Sequence, residues 1–394
     1  MVILRETTSS ADALALAEAW AAPESFAFLP AKTSVDEDWV RACLGALPPH
    51  LAEGHFALLT SGSTGQPKLV IGARSRAEAL ARVLHEVQES EPVAETILAL
   101  PLSYCYAFVN QWLWSRVMER RLVCTDGFAN PESLRVALAQ AQDAMLCLVG
   151  AQLPLLRSHF ESQSFPGITR IHFAGGPFPQ GSLEELKRSF PQARVYNNYG
   201  CAEAMPRLSL RSAEHSAQAS NVGKPIPGVH LKLGDQGELL FQSDYGALAL
   251  QDQEGLMEIA PGTWLPSGDL AEAQPDGSWR LLGRANQVFK RFGEKVALSS
   301  LLETVQGGGW QSEAQFYREA DSMGEEGYVL LLSPAPGEAQ MRTILRAFRA
   351  KHPRTHWPLR VESVERMPLL PSGKVNLSVL PGLDAKVIHW RNRI

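Results

Sequence analysis

The sequence has few cysteines and no long apolar run, and each shortage excludes a class of protein. Five cysteines are scattered over 394 residues, an odd number without a C-x-x-C pair, so neither a disulfide framework nor a thiolate zinc site is indicated. Apolar runs of bilayer length are missing, and Arg5, Glu6 and Asp12 interrupt the region where a secretory signal would be apolar. We therefore expect a cytoplasmic protein that does not act at a membrane.

An excess of positive charge is also missing. The net charge is −5, so the chain has no basic field that would attract the phosphates of nucleic acid, and we expect no nucleic acid partner. What the chain does contain is a hydrophobic fraction of 45%. In a chain of this length, that fraction is enough for one large core and one smaller core, so two domains are expected.

The order of strand-like and helix-like segments predicts an α/β fold. Between residues 56 and 197, β-rich runs alternate with helical patterns, which indicates βα units and a largely parallel sheet. Short strands with Gly, Pro and Asp turns follow and favour an antiparallel or barrel-like β-rich subdomain. Near the end, strands mix with a helix predicted over Glu338 to Lys351. We predict a large N-terminal domain over residues 1–285 and a small α+β C-terminal domain over residues 286–394.

The strongest local signal is the segment LLTSGSTGQPK, which follows a predicted strand. Its hydroxyls, glycines and lysine supply the N–H groups, O–H donors and cation that phosphate oxygens require. A solvated Ser/Gly loop would explain the glycines but not Lys68 beside Pro67. A Walker-type NTPase is disfavoured because Gln66 and Pro67 separate Gly65 from Lys68. The candidate phosphate-binding residues are Thr60, Ser61, Gly62, Ser63, Thr64, Gly65 and Lys68.

This segment resembles the phosphate-binding motif of the acyl-adenylate-forming, or AMP-binding, superfamily. That superfamily includes acyl-CoA and aryl-CoA synthetases, peptide-synthetase adenylation domains and luciferases. Further matches follow in the family's order, from about Phe56 to Leu380. The resemblance implies a large adenylation domain followed by a small mobile domain. It also implies ATP and Mg²⁺ as cofactors, with CoA or phosphopantetheine as the thiol acceptor.

Three segments correspond to the family's nucleotide-binding motifs. YNNYGCAEA resembles N-x-Y-G-x-T-E, which implies that Tyr199 stacks on adenine and that Glu203 holds Mg²⁺. WLPSGDL resembles Y-x-T-G-D and implies that Asp269 binds the ribose hydroxyls. LLGRANQVFKRFGEKV resembles G-R-x-D-x-x-I-K-x-x-G-x-x-V and places Arg284 at the ribose. Ala202 stands where the family usually has the threonine that lies near the α-phosphate.

The same resemblance implies a moving C-terminal part. Asn286 occupies the hinge position, which is usually Asp or Lys, and Gly293 occupies the position past which the thiol enters. PLLPSGKVNL resembles the loop P-x-T-x-x-G-K, whose lysine reaches the carboxylate and the α-phosphate in the first step. The implied catalytic residues are therefore Lys374, Lys68 and Glu203.

Two segments resemble the acyl pocket of acyl-CoA and aryl-CoA ligases, namely ALPLSYCYAF and the glycine turn FAGGPFP. The first contains no Asp that could pair with an α-ammonium group, so an amino acid substrate is disfavoured. Plain core packing explains the aromatic residues nearly as well. We expect an aryl or short acyl acid, bound by Tyr104, Phe108, Phe173, Ala174, Gly175, Gly176, Asn198 and Gly200.

The predicted function is ATP-dependent formation of acyl-AMP with release of pyrophosphate, followed by transfer to CoA or to a separate acyl carrier protein in secondary metabolism. Typical members carry a longer region before the phosphate loop, so we expect part of the N-terminal lobe to be absent. A second copy, in a homodimer, or another subunit, in a complex, is expected to cover the apolar surface. Two alternatives stay open: an amino-acid-adenylating enzyme, and a degenerate non-catalytic binding or scaffold subunit. Ala202 and Asn286 favour the latter, whereas retention of the charged motif residues opposes it.

Overall fold

The fold is taken from a computed structural model. It describes residues 2–33, 35–60, 67–176, 178, 180–215, 218–285, 288–292, 294–310, 312–321, 323–368 and 375–392. No helix within these ranges combines the length and the apolar content needed to cross a bilayer.

The helices are α1 (Ser9–Ala21), α2 (Glu37–Gly45), α3 (Arg74–Val87), α4 (Cys105–Ala107), α5 (Trp114–Val117), α6 (Pro131–Gln140), α7 (Leu153–Phe160), α8 (Leu183–Ser189), α9 (Leu298–Gly307) and α10 (Glu338–Lys351). A π-helix, Phe108–Leu113, joins α4 to α5.

The strands are β1 (Val2–Arg5), β2 (Phe26–Leu29), β3 (His55–Thr60), β4 (Lys68–Ala73), β5 (Glu95–Ile97), β6 (Arg121–Val123), β7 (Ala144–Val149), β8 (Ile168–Ala174), β9 (Arg194–Tyr199), β10 (Ser209–Ser212), β11 (Asn221–Pro225), β12 (Val229–Leu233), β13 (Glu238–Ser243), β14 (Ala249–Gln251), β15 (Leu256–Glu258), β16 (Leu265–Ala273), β17 (Trp279–Arg284), β18 (Val288–Arg291), β19 (Glu294–Ala297), β20 (Glu313–Ala320), β21 (Glu326–Ser333), β22 (Arg360–Ser363) and β23 (Val387–Arg391).

Strands β5 to β9 form the parallel part of a large sheet with the order β12-β13-β16-β17-β11-β10-β9-β8-β7-β5-β6. Strand β7 shows why the sequence predicts this arrangement. Met145 and Cys147 pack into the core on one face of the sheet, and Leu146 and Leu148 pack into the core on the other. A strand covered on both faces is a continuous apolar run in the sequence. The predicted α/β fold with a parallel sheet is confirmed.

The large sheet continues as an antiparallel layer. Strand β10 pairs antiparallel with β9 and β11, β11 pairs with β17, and β12 pairs with β13. Of the two forms predicted for the β-rich subdomain, the antiparallel one is observed. It extends the same sheet because β9 and β10 lie next to each other and are joined by a short connection.

A second sheet has the order β1-β2-β3-β4-β14-β15. Strands β1, β2 and β3 are parallel, whereas β4 runs antiparallel to both β3 and β14. Behind it, the rings of Trp20, Phe56, Phe108 and Trp112 pack with centroid distances from 4.9 to 5.9 Å. Residues 2–54 supply the strands β1 and β2 and the helices α1 and α2, for which the sequence pattern makes no prediction.

The structure divides into two compact units. Unit 1 comprises Met1–Ser267 and Glu272–Arg280, and unit 2 comprises Gly268–Ala271 and Leu281–Ile394. Asp269 of β16 therefore belongs to unit 2. The predicted domain limit between residues 285 and 286, and the mobility of the second domain, stay predictions.

Unit 2 has its own core. Strands β20, β21, β22 and β23 form a sheet in that order, and β18 pairs with β19. Helix α10 has the bounds predicted from the sequence, and it buries Met341, Ile344 and Phe348 at helical spacing. These side chains pack with Leu330 and Leu332 of β21. The period of the apolar residues thus fixes both the helix and the face it buries.

Candidate functional site

The predicted phosphate-binding loop joins two neighbouring antiparallel strands. Thr60 ends β3 and Lys68 begins β4, and the two residues are partners in the ladder. Both are partly buried. Pairing of Thr60 with Lys68 at the loop end of the hairpin therefore fixes the two ends of the segment. Its remaining predicted residues, Ser61, Gly62, Ser63, Thr64 and Gly65, lie outside the described residues, and their roles stay predictions.

Tyr199 and Glu203 lie in the connection between β9 and β10. Tyr199 is the last residue of β9, and Glu203 lies in a 3₁₀ turn, Ala202–Ala204. The carbonyl of Glu203 accepts a hydrogen bond from the N–H of Ala247 (2.9 Å), which fixes the turn against the β-rich layer. Both residues are partly exposed at the carboxyl end of a parallel strand. Ligands of α/β sheets bind at this edge.

Gly200 follows Tyr199 at a point where two backbone segments almost touch. A Cβ at this position would lie 1.9 Å from the carbonyl oxygen of Pro206. No side chain fits at that distance, so the turn that carries Tyr199 and Glu203 requires glycine here.

We expect Gly200→Ala to lower the free energy of unfolding by about 1–3 kcal/mol, as overpacking usually does. The variant should also lose the rise in melting temperature that ATP gives, because the displaced turn carries Tyr199 and Glu203. Thermal unfolding with and without ATP measures both effects. Gly150→Ala is the matched control, since a Cβ on Gly150 would meet no atom within 4 Å. Identical behaviour of the two variants would contradict this prediction.

Glu203 is a suitable ligand for Mg²⁺ but not for a metal held by protein groups alone. Across the part of the chain that the structure describes, no three His, Cys, Asp or Glu side chains gather in a way that could hold a metal ion. Mg²⁺ commonly takes one or two carboxylates and completes its shell with phosphate oxygens and water. A single, partly exposed carboxylate fits that requirement.

Asp269 and Arg284 form an ion pair, with 3.2 Å between Asp269 Oδ1 and Arg284 Nε. Asp269 is buried on β16, whereas the side chain of Arg284, at the end of β17, is 53% exposed. The carboxylate is therefore held by its partner while the guanidinium still reaches solvent. The structure thus brings together, within unit 2, the two residues whose motifs imply contact with ribose.

Glu6 holds the loop that begins the predicted acyl pocket. Its carboxylate accepts hydrogen bonds from the N–H and the hydroxyl of Ser103 (3.1 and 2.8 Å). Tyr104 follows, partly buried, and its carbonyl accepts a hydrogen bond from the N–H of Phe108 (2.9 Å) at the start of α4. Burial and the nearby Glu6 carboxylate raise the pKa of Tyr104. The phenol therefore stays protonated and can donate a hydrogen bond at neutral pH.

Two other predicted pocket residues lie in the core. Phe108 is 0% exposed and stacks on Phe56 with 5.2 Å between ring centroids. Phe173 is 2% exposed and meets Phe178 edge to face at the same distance. Packing alone therefore accounts for both rings. Contact of Phe108 or Phe173 with a substrate stays a prediction.

The remaining predicted pocket residues share one edge of the large sheet. Ala174 ends β8, and Gly175 and Gly176 follow it, both exposed. Asn198 is buried on the neighbouring strand β9, just before Gly200. Since β8 and β9 are adjacent and parallel, their carboxyl ends lie side by side. This edge brings the glycine turn together with the turn that carries Tyr199 and Glu203.

Beneath that edge lies a buried polar network centred on Arg207, which is 1% exposed. Arg207 Nη1 donates to Asn198 Oδ1 (2.6 Å), and Nη2 donates to Asn110 Oδ1 (2.7 Å). Asn198 Nδ2 in turn donates to the hydroxyl of Tyr106 (3.2 Å). Asn110 Nδ2 donates to the sulfur of Cys147 (3.1 Å). The guanidinium carbon lies 6.0 Å from the centroid of the Tyr106 ring.

Burial sets the protonation states in this network. It lowers the pKa of Arg207 to about 10, raises that of Cys147 to about 11, and raises that of Tyr106 well above its ordinary value. Burial also lowers the pKa of His172, and the charge of Arg207 lowers it further. At neutral pH, Arg207 is therefore charged while the thiol, the phenol and the imidazole are neutral.

The sequence analysis missed Arg207, although a signal was present. An arginine stands inside the apolar run AMPRLSL, directly before a strand. A charge inside such a run is a candidate for burial with hydrogen-bonding partners. Its partners could not be identified, because Asn110 lies 97 positions away in the sequence.

Comparison with known families decides the identity of this arrangement. The profile of the AMP-binding enzymes matches residues 7–257, more than half of the chain. The chain belongs to the AMP-binding enzyme family. The predicted resemblance is confirmed.

Relatives of this AMP-binding chain by sequence are peptide synthetases. It is 26% identical to the non-ribosomal peptide synthetase CmlP of Streptomyces venezuelae over 84% of its length, and 24% identical to the phosphinothricin tripeptide synthetase PhsB of Streptomyces viridochromogenes over 88%. The matches cover 34% and 31% of those two proteins. The chain thus spans about a third of the length of these relatives.

Solved structures with the same fold as this AMP-binding chain include a CoA synthetase, a CoA ligase and MatB. The o-succinylbenzoate CoA synthetase MenE of Bacillus subtilis, in complex with its acyl-adenylate, aligns with a TM-score of 0.76 over 100% of this chain and 89% of its own. ATP-bound MatB of Rhodopseudomonas palustris aligns with a TM-score of 0.76 over 96% of this chain and 88% of its own. The anthranilate CoA ligase AuaEII, in complex with anthranoyl-AMP, aligns with a TM-score of 0.74 over 97% of this chain and 87% of its own. Identities are 16–17%, so these alignments show the fold alone.

Three further predicted residues of the AMP-binding motifs fall outside the described residues: Asn286, Gly293 and Lys374. Their roles stay predictions. The structure does describe what flanks the lysine loop, where the N–H of Asn376 donates to the carbonyl of Pro368 (2.8 Å). The two ends of the loop that carries Lys374 are therefore held together within unit 2.

Proposed function

We propose that this chain activates a carboxylic acid as its acyl-adenylate, with ATP as co-substrate, and then passes the acyl group to a pantetheine thiol. The observation that carries the proposal is the ion pair between Asp269 and Arg284. Two separate motifs imply ribose contact for these residues, and their side chains lie 3.2 Å apart. Such a pair presents a carboxylate and a guanidinium to one sugar, which suits a nucleotide site in an AMP-binding enzyme.

In the proposed first step, a carboxylate oxygen of the acid bonds to the α-phosphorus of ATP. The bond from that phosphorus to the bridging oxygen breaks, and pyrophosphate leaves with the electron pair. No proton is transferred, so positioning and charge stabilisation account for the catalysis. Lys68 and Lys374 supply positive charge. Mg²⁺ held by Glu203 would neutralise charge on the departing phosphates.

In the proposed second step, a thiolate attacks the acyl carbon and AMP leaves. The small domain, residues 286–394, would rotate about Asn286, withdraw Lys374 and bring the thiol in past Gly293. The thiol belongs to CoA or to the phosphopantetheine of a separate acyl carrier protein. The CoA ligases of known structure support CoA as the acceptor, and the peptide synthetases support a carrier protein.

An aryl or short acyl acid is the proposed substrate. The proposed pocket is the edge formed by Tyr104, Asn198, Gly200 and residues 174–176, where Gly175 and Gly176 leave room for a flat ring beside the backbone. The two aryl ligases of known structure act on o-succinylbenzoate and anthranilate, as their names state, and this supports an aryl acid. A cytoplasmic location, a homodimer and a role in secondary metabolism also stay predictions.

Amino acid adenylation is the second candidate, because the sequence relatives are peptide synthetases. Two observations oppose it. The segment from residue 99 to residue 108 has no Asp, and the buried network beneath the pocket is cationic, so an α-ammonium group would lack a partner. Catalytic incompetence, suggested by Ala202, is a third candidate that the same assay tests.

We expect benzoate-type acids to exceed α-amino acids by about a hundredfold or more in kcat/KM, because a buried unpaired ammonium is disfavoured by several kcal/mol. Pyrophosphate release across an acid panel measures this, and later addition of CoA or a phosphopantetheinylated carrier protein identifies the acceptor. Leucine or phenylalanine matching the best aryl acid would overturn the substrate assignment. No release with any acid would support the non-catalytic alternative.

A further inference from the structure

Arg207 is a buried cation for which the described residues provide no counterion. No carboxylate within the described ranges lies at ion-pair distance from its guanidinium, and its side-chain hydrogen bonds go to the neutral amides of Asn198 and Asn110. A buried charge of this kind is unfavourable in a core and is usually paired.

The charge of Arg207 reaches the proposed acyl pocket through Asn198 and Tyr106. Because Asn198 Oδ1 accepts from Arg207, its amide nitrogen must face the hydroxyl of Tyr106. Tyr106 lies on α4 and is partly exposed as a residue, while its hydroxyl is buried in the network. The guanidinium therefore sets the orientation of both side chains and leaves a net positive charge directly beneath them.

We propose that Arg207 sets the charge selectivity of the acyl pocket: it positions Asn198 and Tyr106, and it excludes substrates that carry an α-ammonium group. The inference rests on the proposed function, since it assumes that the acyl group lies beside Asn198. It goes further by assigning the selectivity to one residue that no motif of the sequence contains. In a site shielded from water, like charges repel strongly even without direct contact.

Two substitutions separate charge from structure. Asn198→Asp keeps the side-chain size and places a carboxylate against Arg207, which neutralises the network. Arg207→Lys keeps the charge but loses the fork that binds two amides at once. A third variant, Arg207→Gln, removes the charge. Arg194→Gln is the control, because Arg194 begins the same strand, is 57% exposed and pairs with Glu89 at the surface.

The test compares 3-phenylpropanoate with L-phenylalanine, which differ by the α-ammonium group alone. Kinetics of pyrophosphate release give kcat/KM for each, and equilibrium dialysis with α,β-methylene-ATP gives their dissociation constants. We expect Asn198→Asp and Arg207→Gln to reduce the preference for 3-phenylpropanoate over phenylalanine by about tenfold or more. Most of this change should come from a lower KM for phenylalanine. Arg207→Lys should keep the preference while KM rises for both acids, and Arg194→Gln should match the wild type.

The outcomes distinguish this inference from the proposed function. Equal loss of kcat for both acids, with an unchanged preference in Asn198→Asp and Arg207→Gln, would give Arg207 a structural role only and overturn the inference. A wild-type enzyme that prefers phenylalanine would overturn it as well. Binding of acids without pyrophosphate release would overturn the proposed function, while the dissociation constants would still decide the role of Arg207. An enzyme that binds neither acid and turns over none of the panel overturns both.

Discussion

Replacing Lys374 with alanine should slow acyl-adenylate formation by about a hundredfold to a thousandfold, the usual effect of removing a group that stabilises developing transition-state charge. Thiolysis of supplied acyl-adenylate should be much less affected, because the lysine is withdrawn after the first step in the proposed mechanism. Single-turnover assays of the two half-reactions measure this separately. The lysine loop has paired ends, since Asn376 donates to Pro368, so loss of one side chain should leave unit 2 folded.

The matched control for Lys374 is Lys351→Ala. Lys351 is an exposed lysine at the end of α10 in the same unit, and it lies in no motif. It should show wild-type rates in both half-reactions. Equal loss of both half-reactions in Lys374→Ala would refute the proposed domain rotation, because a lysine that stays in place would serve both steps.

Asp269→Ala should raise the KM for ATP by about a hundredfold. Two hydrogen bonds from the ribose hydroxyls to a carboxylate are each worth about 1.5–3 kcal/mol, so their loss removes at least that factor. Arg284 would also lose the carboxylate with which it forms an ion pair. Initial rates against ATP concentration give the KM, and a fluorescent ATP analogue gives the dissociation constant without turnover.

Asp276→Asn is the control for Asp269. Asp276 lies in the turn that joins β16 to β17, where it accepts hydrogen bonds from the N–H and hydroxyl of Ser278 (2.9 and 2.7 Å). Asp276 shares the hairpin with Asp269 but belongs to no motif. The KM of the Asp276→Asn variant for ATP should therefore stay at the wild-type value. A lower melting temperature with unchanged ATP affinity in Asp269→Ala would make Asp269 a structural residue instead.

Patterns of apolar residues within short segments predicted the helices and strands whose buried faces those patterns define. The apolar run of β7 and the helical spacing of Met341, Ile344 and Phe348 each report which faces are buried, and the structure has both elements where they were predicted. Asp269 and Arg284 also come close to each other through a local feature of the chain, because β16 and β17 are consecutive strands joined by a short turn. The two motif residues proposed to bind ribose are therefore neighbours for a topological reason.

Residues 2–54 show where such reasoning ends. Helix α1 exposes Leu14 while burying Leu16 and Trp20, so its apolar stripe is narrow and its periodicity weak.

Strand β4 is flanked by β3, its neighbour in sequence, and by β14, which comes much later in the chain. Non-local pairing of this kind leaves no periodic signal in either segment.

The sequence by itself determined the family, the α/β fold and the positions of the phosphate, ribose and lysine motifs, because these depend on residue types at fixed spacing. The tertiary structure alone decided what surrounds them. It placed Phe108 in an aromatic core, brought Ala174 and Asn198 to one sheet edge, and buried Arg207 among neutral amides. Those features depend on contacts between distant segments, and the burial and charge of a residue follow from such contacts and not from its neighbours in the chain.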